Sequence, residues 1–414
     1  MHMATQTVIL QGHIIDSLIL AKVLDAIVML GGTFTLPEVA IGTRREDLSH
    51  ATIRIDAPTA EGLQDILTAI QPHGAVVETE QNCTVAPAPA DGIFPEDFYA
   101  TSHLTTHIRW QGAWIEVPQP EMDLAIVVNP SIPSARMIPM GSVKQGDLIV
   151  TGRTGIRVFP LERPKERDIF GFMEAQVSSE RPHRHIIADI AKRMKTIQQF
   201  RQGGHRSATV LLAGGPAIVH AGGREALAWI IDQGLIHVVF CGNALAAHDM
   251  EASLYGTSLG YSLGVGRSVP HGHEHHLRTI NRVRALGSIQ KAVEQGVITD
   301  GIMAACVRQR VNMVLAGTIR DDGPLPDVIT DASKAQEAMR AAIPGVELAL
   351  LVASTLHAVA TGNLLPASVP TVCVDINPAV PTKLSDRGSF QAVGLVMDSS
   401  SFLRELAREL GWKG

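Results

Sequence analysis

The sequence predicts an α/β protein built in three parts. Hydrophobic residues make up 45% of the 414-residue chain and charged residues 18%, the composition of a globular protein with large cores. The hydrophobic pattern first alternates between strand and helix periods, then gives short strands only, and finally gives apolar strands separated by helices. We therefore expect an N-terminal domain over 1–86, a β-rich middle module over 87–190 and a C-terminal α/β domain over 191–414.

The N-terminal domain has the element order β-α-β-β-α-β. Apolar, strand-like segments predict four strands, and helical spacing predicts two helices that are each followed by glycine. This is the order of a ferredoxin-like split βαβ unit. The predicted strands are 7–14, 33–41, 51–55 and 75–80, and the predicted helices are 17–30 and 60–70.

A Pro-rich stretch at 86–95 (APAPADGIFP) marks the start of the middle module. Glycine and proline then separate short strands at regular intervals, which is typical of a small barrel or sandwich. The predicted strands are 106–117, 124–128, 144–150 and 155–159.

The C-terminal domain alternates apolar strands with helices, which predicts a parallel sheet covered on both faces. The predicted strands are 208–213, 236–241, 313–316, 348–352, 371–374 and 394–397. Predicted helices include 224–233, 277–286 and 331–341.

Ligands bind beyond the carboxyl ends of the strands in such sheets, and five predicted strands lead there into Gly, Asn, Ser, Thr or Asp. An Asp directly after a strand, as at Asp375, can accept both ribose hydroxyls of an adenosine. Small residues and helix N-termini let backbone N–H groups approach a pyrophosphate. Helix capping is the alternative at any single position, but it does not account well for all five. These strand ends predict a nucleotide crevice, although no G-x-G-x-x-G follows a strand.

Charge and cysteine usage exclude several other classes of protein. Lys and Arg number 35 against 41 Asp and Glu, which gives no basic footprint for nucleic acid. No apolar run approaches the roughly 18 residues of a membrane span, and the N-terminus lacks the pattern of a signal peptide. The four cysteines are scattered without a C-x-x-C pair. We expect a cytoplasmic protein that binds neither nucleic acid nor membrane.

The segment 271–276 (HGHEHH) could supply imidazoles to a metal, together with a carboxylate from Glu274 or Asp249. It lacks H-E-x-x-H or a comparable helical spacing. We favour a polar turn that enters the next helix, and we expect no metal.

Several strings carry a specific resemblance to one family. They are GHIIDS (12–17), APADGIFPEDFY (88–99), VSSERP (177–182), GNALAAHDMEASLYGTSLG (242–260), HHLRTIN (275–281), AGTIRDDGPLPDVITD (316–331) and CVDINPAVPTKLSDRG (373–388). With them the chain resembles the NAD-dependent alternative ornithine cyclodeaminases, or LOR/SDH conserved-region family, over nearly its whole length. It is also similar to the C-terminal part of bifunctional arginine dihydrolase/ornithine cyclodeaminase proteins, without their large N-terminal hydrolase region.

The resemblance implies a Rossmann-like C-terminal domain similar to that of deoxyhypusine synthase, which binds NAD without the usual glycine fingerprint. It also implies conversion of L-ornithine to L-proline and ammonia, with NAD⁺ as a recycled hydride carrier, and a homo-oligomer. The 399–401 segment and Ser354 differ from the commonest family residues. The NAD contacts carried over are Asn243, Ala244, Asp322, Ser354, Thr355, Leu356, His357, Asp375 and Asp398.

For the chemistry on the amino-acid substrate, we predict Asp249 and His276 as acid/base groups and Arg320 as the partner of the substrate carboxylate. A helix cap, a surface histidine and an ion pair are the respective alternatives. Two other functions stay open. One is an NAD-dependent amino-acid dehydrogenase acting on a saccharopine-like substrate, and the other is a sensor that binds an amino acid and a nucleotide without catalysis.

Overall fold

The computed structural model describes residues 3–12, 14, 18–42, 49–77, 81–159, 183–205, 207–264, 267, 269, 272–321, 323–386 and 392–414. The chain divides into two compact units. The first comprises Met1–Asp168 with Leu365–Ser368, and the second comprises Ile169–Leu364 with Val369–Gly414. The finer division at residue 86 stays a prediction.

The first half of the first unit is the ferredoxin-like unit. Its sheet has the order β2-β3-β1-β4 with antiparallel pairing throughout, as a split βαβ unit requires. β2 is an edge strand, which is where Pro37 can lie because proline cannot donate to the ladder. Part of the predicted strand 75–80 lies outside the described residues. The elements are β1 (Ala4–Gly12), α1 (Ile19–Met29), β2 (Thr33–Ala40), β3 (Ser49–Ala57), α2 (Ala60–Ile70) and β4 (Val76–Val77).

The second half of the first unit is rich in β-structure, as predicted, in two antiparallel sheets of order β5-β10-β8-β9 and β11-β6-β7. The single strand predicted over 106–117 is wrong. Gln111 (φ 53°) and Gly112 (φ 83°) form a two-residue turn, which is the geometry of a tight hairpin. The strands are β5 (Thr84–Pro87), β6 (Thr105–Trp110), β7 (Ala113–Val117), β8 (Ala125–Val128), β9 (Ala135–Ile138), β10 (Leu148–Thr151) and β11 (Ile156–Phe159).

The second unit is the α/β domain. Its helices and strands are α3 (His183–Gln202), β12 (Thr209–Gly214), α4 (Ala217–His220), α5 (Arg224–Asp232), β13 (Val238–Gly242), α6 (Asn243–Tyr255), β14 (Thr257–Ser258), β15 (Tyr261–Ser262), α7 (His275–Leu286), α8 (Ile289–Glu294), α9 (Ile302–Gln309), β16 (Asn312–Ala316), β17 (Val328–Ile329), α10 (Ala332–Ala341), β18 (Val346–Val352), α11 (Leu356–Leu364), β19 (Thr371–Asp375), α12 (Ala379–Asp386), β20 (Ala392–Val396) and α13 (Ser399–Leu410).

Seven strands of this unit form one parallel sheet of order β17-β16-β13-β12-β18-β19-β20. The six strands predicted from sequence are all in it, while the short edge strand β17 was not predicted. The chain builds outward from β12 to β17, then returns to β18 on the other side of β12 and continues to β20. The carboxyl ends of β12 and β18 therefore flank the topological switch point, where open α/β sheets bind their ligands.

Candidate active site at the carboxyl edge of the parallel sheet

The ends of β12 and β18 approach each other unusually closely. The Gly215 N–H donates to the carbonyl of Val352 at 2.9 Å, and a Cβ on Gly215 would overlap the carbonyl oxygen of Ala353. Ala353 itself has a φ of 53°, in the left-handed region that residues with a Cβ seldom adopt. The two central strand ends thus leave no room for a side chain at Gly215.

His357, in the first turn of α11, meets the end of β13. A Cβ on Gly242 would lie 3.2 Å from His357 Cε1 and 3.6 Å from the carbonyl oxygen of Ala316. Burial lowers the pKa of His357, although nearby Asp321 and a hydrogen bond with the backbone of Cys241 act in the opposite direction. The imidazole is therefore neutral at pH 7. The ends of β13, β16 and β18 converge around it.

Asn243 and Ala244 open α6 at the end of β13. The Asn243 side chain is buried, and its Oδ1 accepts from the Leu325 N–H at 3.0 Å. Gly242 precedes them as N-cap without a side-chain cap, so no side chain of the cap residue covers the N–H groups of this first turn. This end of α6 is suited to an anion.

Ser354 and Thr355 form the turn from β18 into α11, and Leu356 follows with 73% of its surface exposed. Asp375 ends the adjacent strand β19, where its Oδ1 accepts from the Asn377 N–H at 2.8 Å. β13 and β19 are three strand spacings apart, about 14 Å at ~4.8 Å each. A ligand that touches both must be extended.

Asp398 has a local structural role. Its Oδ1 accepts from the Ser401 N–H at 2.8 Å as the N-cap of α13, which is the capping alternative weighed for every acid at a strand end. Its predicted contact with NAD stays a prediction. Asp322, another predicted NAD contact, lies outside the described residues.

Asp249 is fully buried and accepts hydrogen bonds on both of its carboxylate oxygens. Oδ1 accepts from Arg224 Nε at 2.8 Å and from the Ile302 N–H at 2.9 Å, and Oδ2 accepts from the Met303 N–H at 2.7 Å. Arg224 also pairs with Asp300. These contacts bind α5 and α6 to the start of α9. They give Asp249 a structural role in holding these three helices together, and its predicted role in proton transfer stays a prediction.

Neither of the other two predicted substrate residues is fully buried. His276 is half-buried in the first turn of α7, with its ring centroid 6.3 Å from that of His248. Arg320 is exposed on the segment that follows β16. Their roles stay predictions.

Sequence reasoning missed a cluster beside α6. Glu251 is buried and hydrogen-bonds the His248 ring at 3.2 Å and the Thr257 hydroxyl at 2.8 Å. Thr257 in turn contacts His275 Nδ1 at 2.8 Å, and the His220 ring lies 4.9 Å from that of His248. The available signal was the i,i+3 spacing of His248 and Glu251 on a helix that directly follows a buried strand.

Two kinds of feature are absent from the described residues. No helix there is long and apolar enough to cross a membrane. Nor does that part of the chain bring three or more His, Cys, Asp or Glu side chains together as a metal site.

Comparison with known proteins gives matches along the chain. Residues 188–406 match the C-terminal Rossmann-fold region of ArgZ-like arginine dihydrolases, 105–187 match the first C-terminal region of the same proteins, and 5–104 match the LOR/SDH bifunctional enzyme conserved region. The chain is 48% identical to an ornithine cyclodeaminase of Methanopyrus kandleri, over 98% of this chain and 97% of that protein.

Two solved structures are similar over 99% of this chain. The apo structure of the cyanobacterial arginine dihydrolase ArgZ has a TM-score of 0.84 at 35% identity, and 58% of its chain is covered. A ternary complex of AgrE with ornithine and NAD⁺ has a TM-score of 0.52 at 37% identity, with 57% covered. The chain thus spans little more than half of these longer proteins. It belongs to the family of the ornithine cyclodeaminases and of the C-terminal Rossmann-fold region of ArgZ-like arginine dihydrolases, which confirms the family inferred from the sequence.

Proposed function

We propose that this chain is an NAD-dependent ornithine cyclodeaminase that converts L-ornithine to L-proline and ammonia. The observation that carries the proposal is the near full-length identity of 48% with a protein named ornithine cyclodeaminase. The solved complex of AgrE with ornithine and NAD⁺ supports both the substrate and the cofactor.

The carboxyl edge of the sheet has the chemistry to hold NAD. The uncapped first turn of α6 suits the pyrophosphate, and the Asp375 carboxylate suits the ribose hydroxyls. Leu356 and Ile376, which are 73% and 74% exposed, offer apolar surface beside them. When bound, NAD⁺ supplies a hydride acceptor for the substrate Cα and returns the hydride later.

The residues of the chain must orient ornithine and move its protons. Arg320 is our candidate for the substrate carboxylate, since guanidinium and carboxylate form two parallel hydrogen bonds. The δ-amine attacks the oxidised α-carbon, and the α-nitrogen leaves as ammonia. Carbon, nitrogen and redox state balance between ornithine and proline plus ammonia, so the cofactor is not consumed.

Ammonia release from ornithine with catalytic NAD⁺ tests the proposal. We expect stoichiometric proline and ammonia without accumulation of NADH. Net NADH would instead support the amino-acid dehydrogenase, and ornithine binding without either product would support the sensor. Location in the cytoplasm and assembly as a homo-oligomer stay predictions.

The preference for NAD over NADP should depend on Asp375. We expect Asp375→Asn to weaken NAD⁺ binding by about 1.5–3 kcal/mol, because a charge-assisted hydrogen bond is lost. The preference for NAD over NADP, measured as the ratio of their affinities, should also become smaller, because the charge that repels a 2′-phosphate is removed. Titration calorimetry with both cofactors measures the two effects.

Asp331→Asn is the matched control, since Asp331 also accepts a local N–H, from Lys334 at 3.0 Å as the N-cap of α10. It should leave thermal stability near wild type, because Asn caps a helix about as well as Asp, and it should change neither cofactor affinity. If the ratio of the NAD and NADP affinities is unchanged in a well-folded Asp375→Asn variant, Asp375 does not bind the ribose.

A further inference from the structure

Glu251 is a buried carboxylate surrounded by donors. It accepts from His248 Nδ1 at 3.2 Å, the Thr257 hydroxyl at 2.8 Å, the Leu259 N–H at 3.2 Å and the Gly260 N–H at 3.0 Å. Burial alone raises the pKa of Glu251, but the bonds from His248, Gly260 and Thr257 outweigh it and lower the pKa below its ordinary value. Glu251 is therefore ionised, and an ionised carboxylate only accepts hydrogen bonds.

This carboxylate determines the protonation pattern of two imidazoles. His248 must carry a hydrogen on Nδ1 to donate to Glu251. The Thr257 hydroxyl gives its only hydrogen to Glu251, so its 2.8 Å contact with His275 runs from Nδ1–H of the ring to the hydroxyl oxygen. In their neutral forms, both rings then have the basic lone pair on Nε2.

Of the two rings, His248 is nearer to the candidate site. It lies five residues after Asn243 in α6, about 7.5 Å along the helix axis at 1.5 Å per residue. His275 stacks instead on Tyr255 at the far end of α6, with ring centroids 4.5 Å apart. His220, on the helix that follows β12, packs edge-on against the His248 ring.

We propose that Glu251 is a positioning residue that holds His248 with its hydrogen on Nδ1, so that Nε2 exchanges protons with the α-nitrogen of the substrate. The inference rests on the proposed function. An N–H bond of the α-ammonium breaks as Nε2–H forms, and Nε2 returns that proton when the α-nitrogen leaves as ammonia. No net proton or electron passes through His248. The same pattern, a carboxylate behind a histidine that acts as a base, recurs on unrelated folds.

Nitrogen-15 NMR of the full chain labelled at histidine tests the positioning step without turnover. We expect His248 and His275 to show Nδ1–H and unprotonated Nε2, with signals assigned by single substitutions. In the Glu251→Gln variant, His248 should lose its preference for a hydrogen on Nδ1 over Nε2. A wild-type His248 with its hydrogen on Nε2 would overturn the inference.

Kinetics test the proton transfer. In His248→Asn, the amide can replace Nδ1–H toward Glu251 while Nε2 is removed. We expect kcat to fall by about 10²–10⁴-fold, the range of general acid–base catalysis, with the NAD⁺ dissociation constant and Tm near wild type. His220→Asn is the matched control, because the His220 ring is not held by the Glu251 carboxylate. This variant should lower kcat much less.

His248→Gln fills the same space and serves as a second variant if His248→Asn does not fold. Turnover within about threefold of wild type in a folded variant would refute the role of His248, because general acid–base catalysis contributes at least about 10²-fold. Failure of the wild type to release ammonia from ornithine would instead refute the proposed function, and the NMR result would still decide the positioning by Glu251.

Discussion

Replacing Gly215 with alanine is expected to lower the free energy of unfolding of the α/β unit by about 3 kcal/mol, the upper part of the usual cost of overpacking. The added Cβ overlaps the carbonyl oxygen of Ala353, and that backbone cannot rotate away while the Gly215 N–H holds Val352. The ends of β12 and β18 must separate to make room. Urea unfolding measures the loss, and NAD⁺ binding should weaken with it.

Gly264→Ala is the matched control in the same unit. Apart from Gly264 itself and its two chain neighbours, no atom of the described residues lies within 4 Å of a Cβ built there, so the change should stay within about 0.5 kcal/mol. Equal stability of the two alanine variants would show that the strand ends are not in close contact.

The second large effect is expected at Asp249. Asp249→Asn should destabilise the protein by about 3–5 kcal/mol, because it leaves a largely buried Arg224 without its fully buried partner. The side chains of Arg224 and Asp249 are only 14% and 0% exposed. Thermal and urea unfolding measure the change.

Asp300→Asn removes the other carboxylate that pairs with Arg224. Because Asp300 is 58% exposed, its loss should cost less than about 1 kcal/mol. A stable Asp249→Asn variant that loses turnover would contradict this structural role and would support the catalytic role predicted from sequence.

The main sheet could be predicted from the sequence because each central strand is a run of apolar residues. β12 and β18 are buried along nearly their whole length, and buried parallel strands have this pattern. β17 has two residues, too few for any period to be visible. The hairpin of β6 and β7 was missed because Gln111-Gly112 is a weaker turn signal than Asn-Gly.

The strand ends could be predicted as a group, but the role of each acid could not. Asp375 ends one strand and Asp398 follows another, and the sequence does not say which one caps a helix. The ion pair of Asp249 could not be predicted because its partner Arg224 is 25 residues away in the chain. The Glu251 cluster could not be predicted from the sequence, because its members come together only when α4, α6 and α7 fold against one another.

The pairing of β12 with β18 also bears on how the protein is made. Thr209 and Gly345, at the start of this pair, are 136 residues apart in the chain. During synthesis β12, β13 and β16 leave the ribosome before β18 exists, so β12 has an unpaired apolar edge for that interval. Such edges recruit strands from other chains, and long-range parallel pairing forms slowly. We expect the nascent chain to be most prone to aggregation in that interval, and the ligand crevice to be among the last features to form.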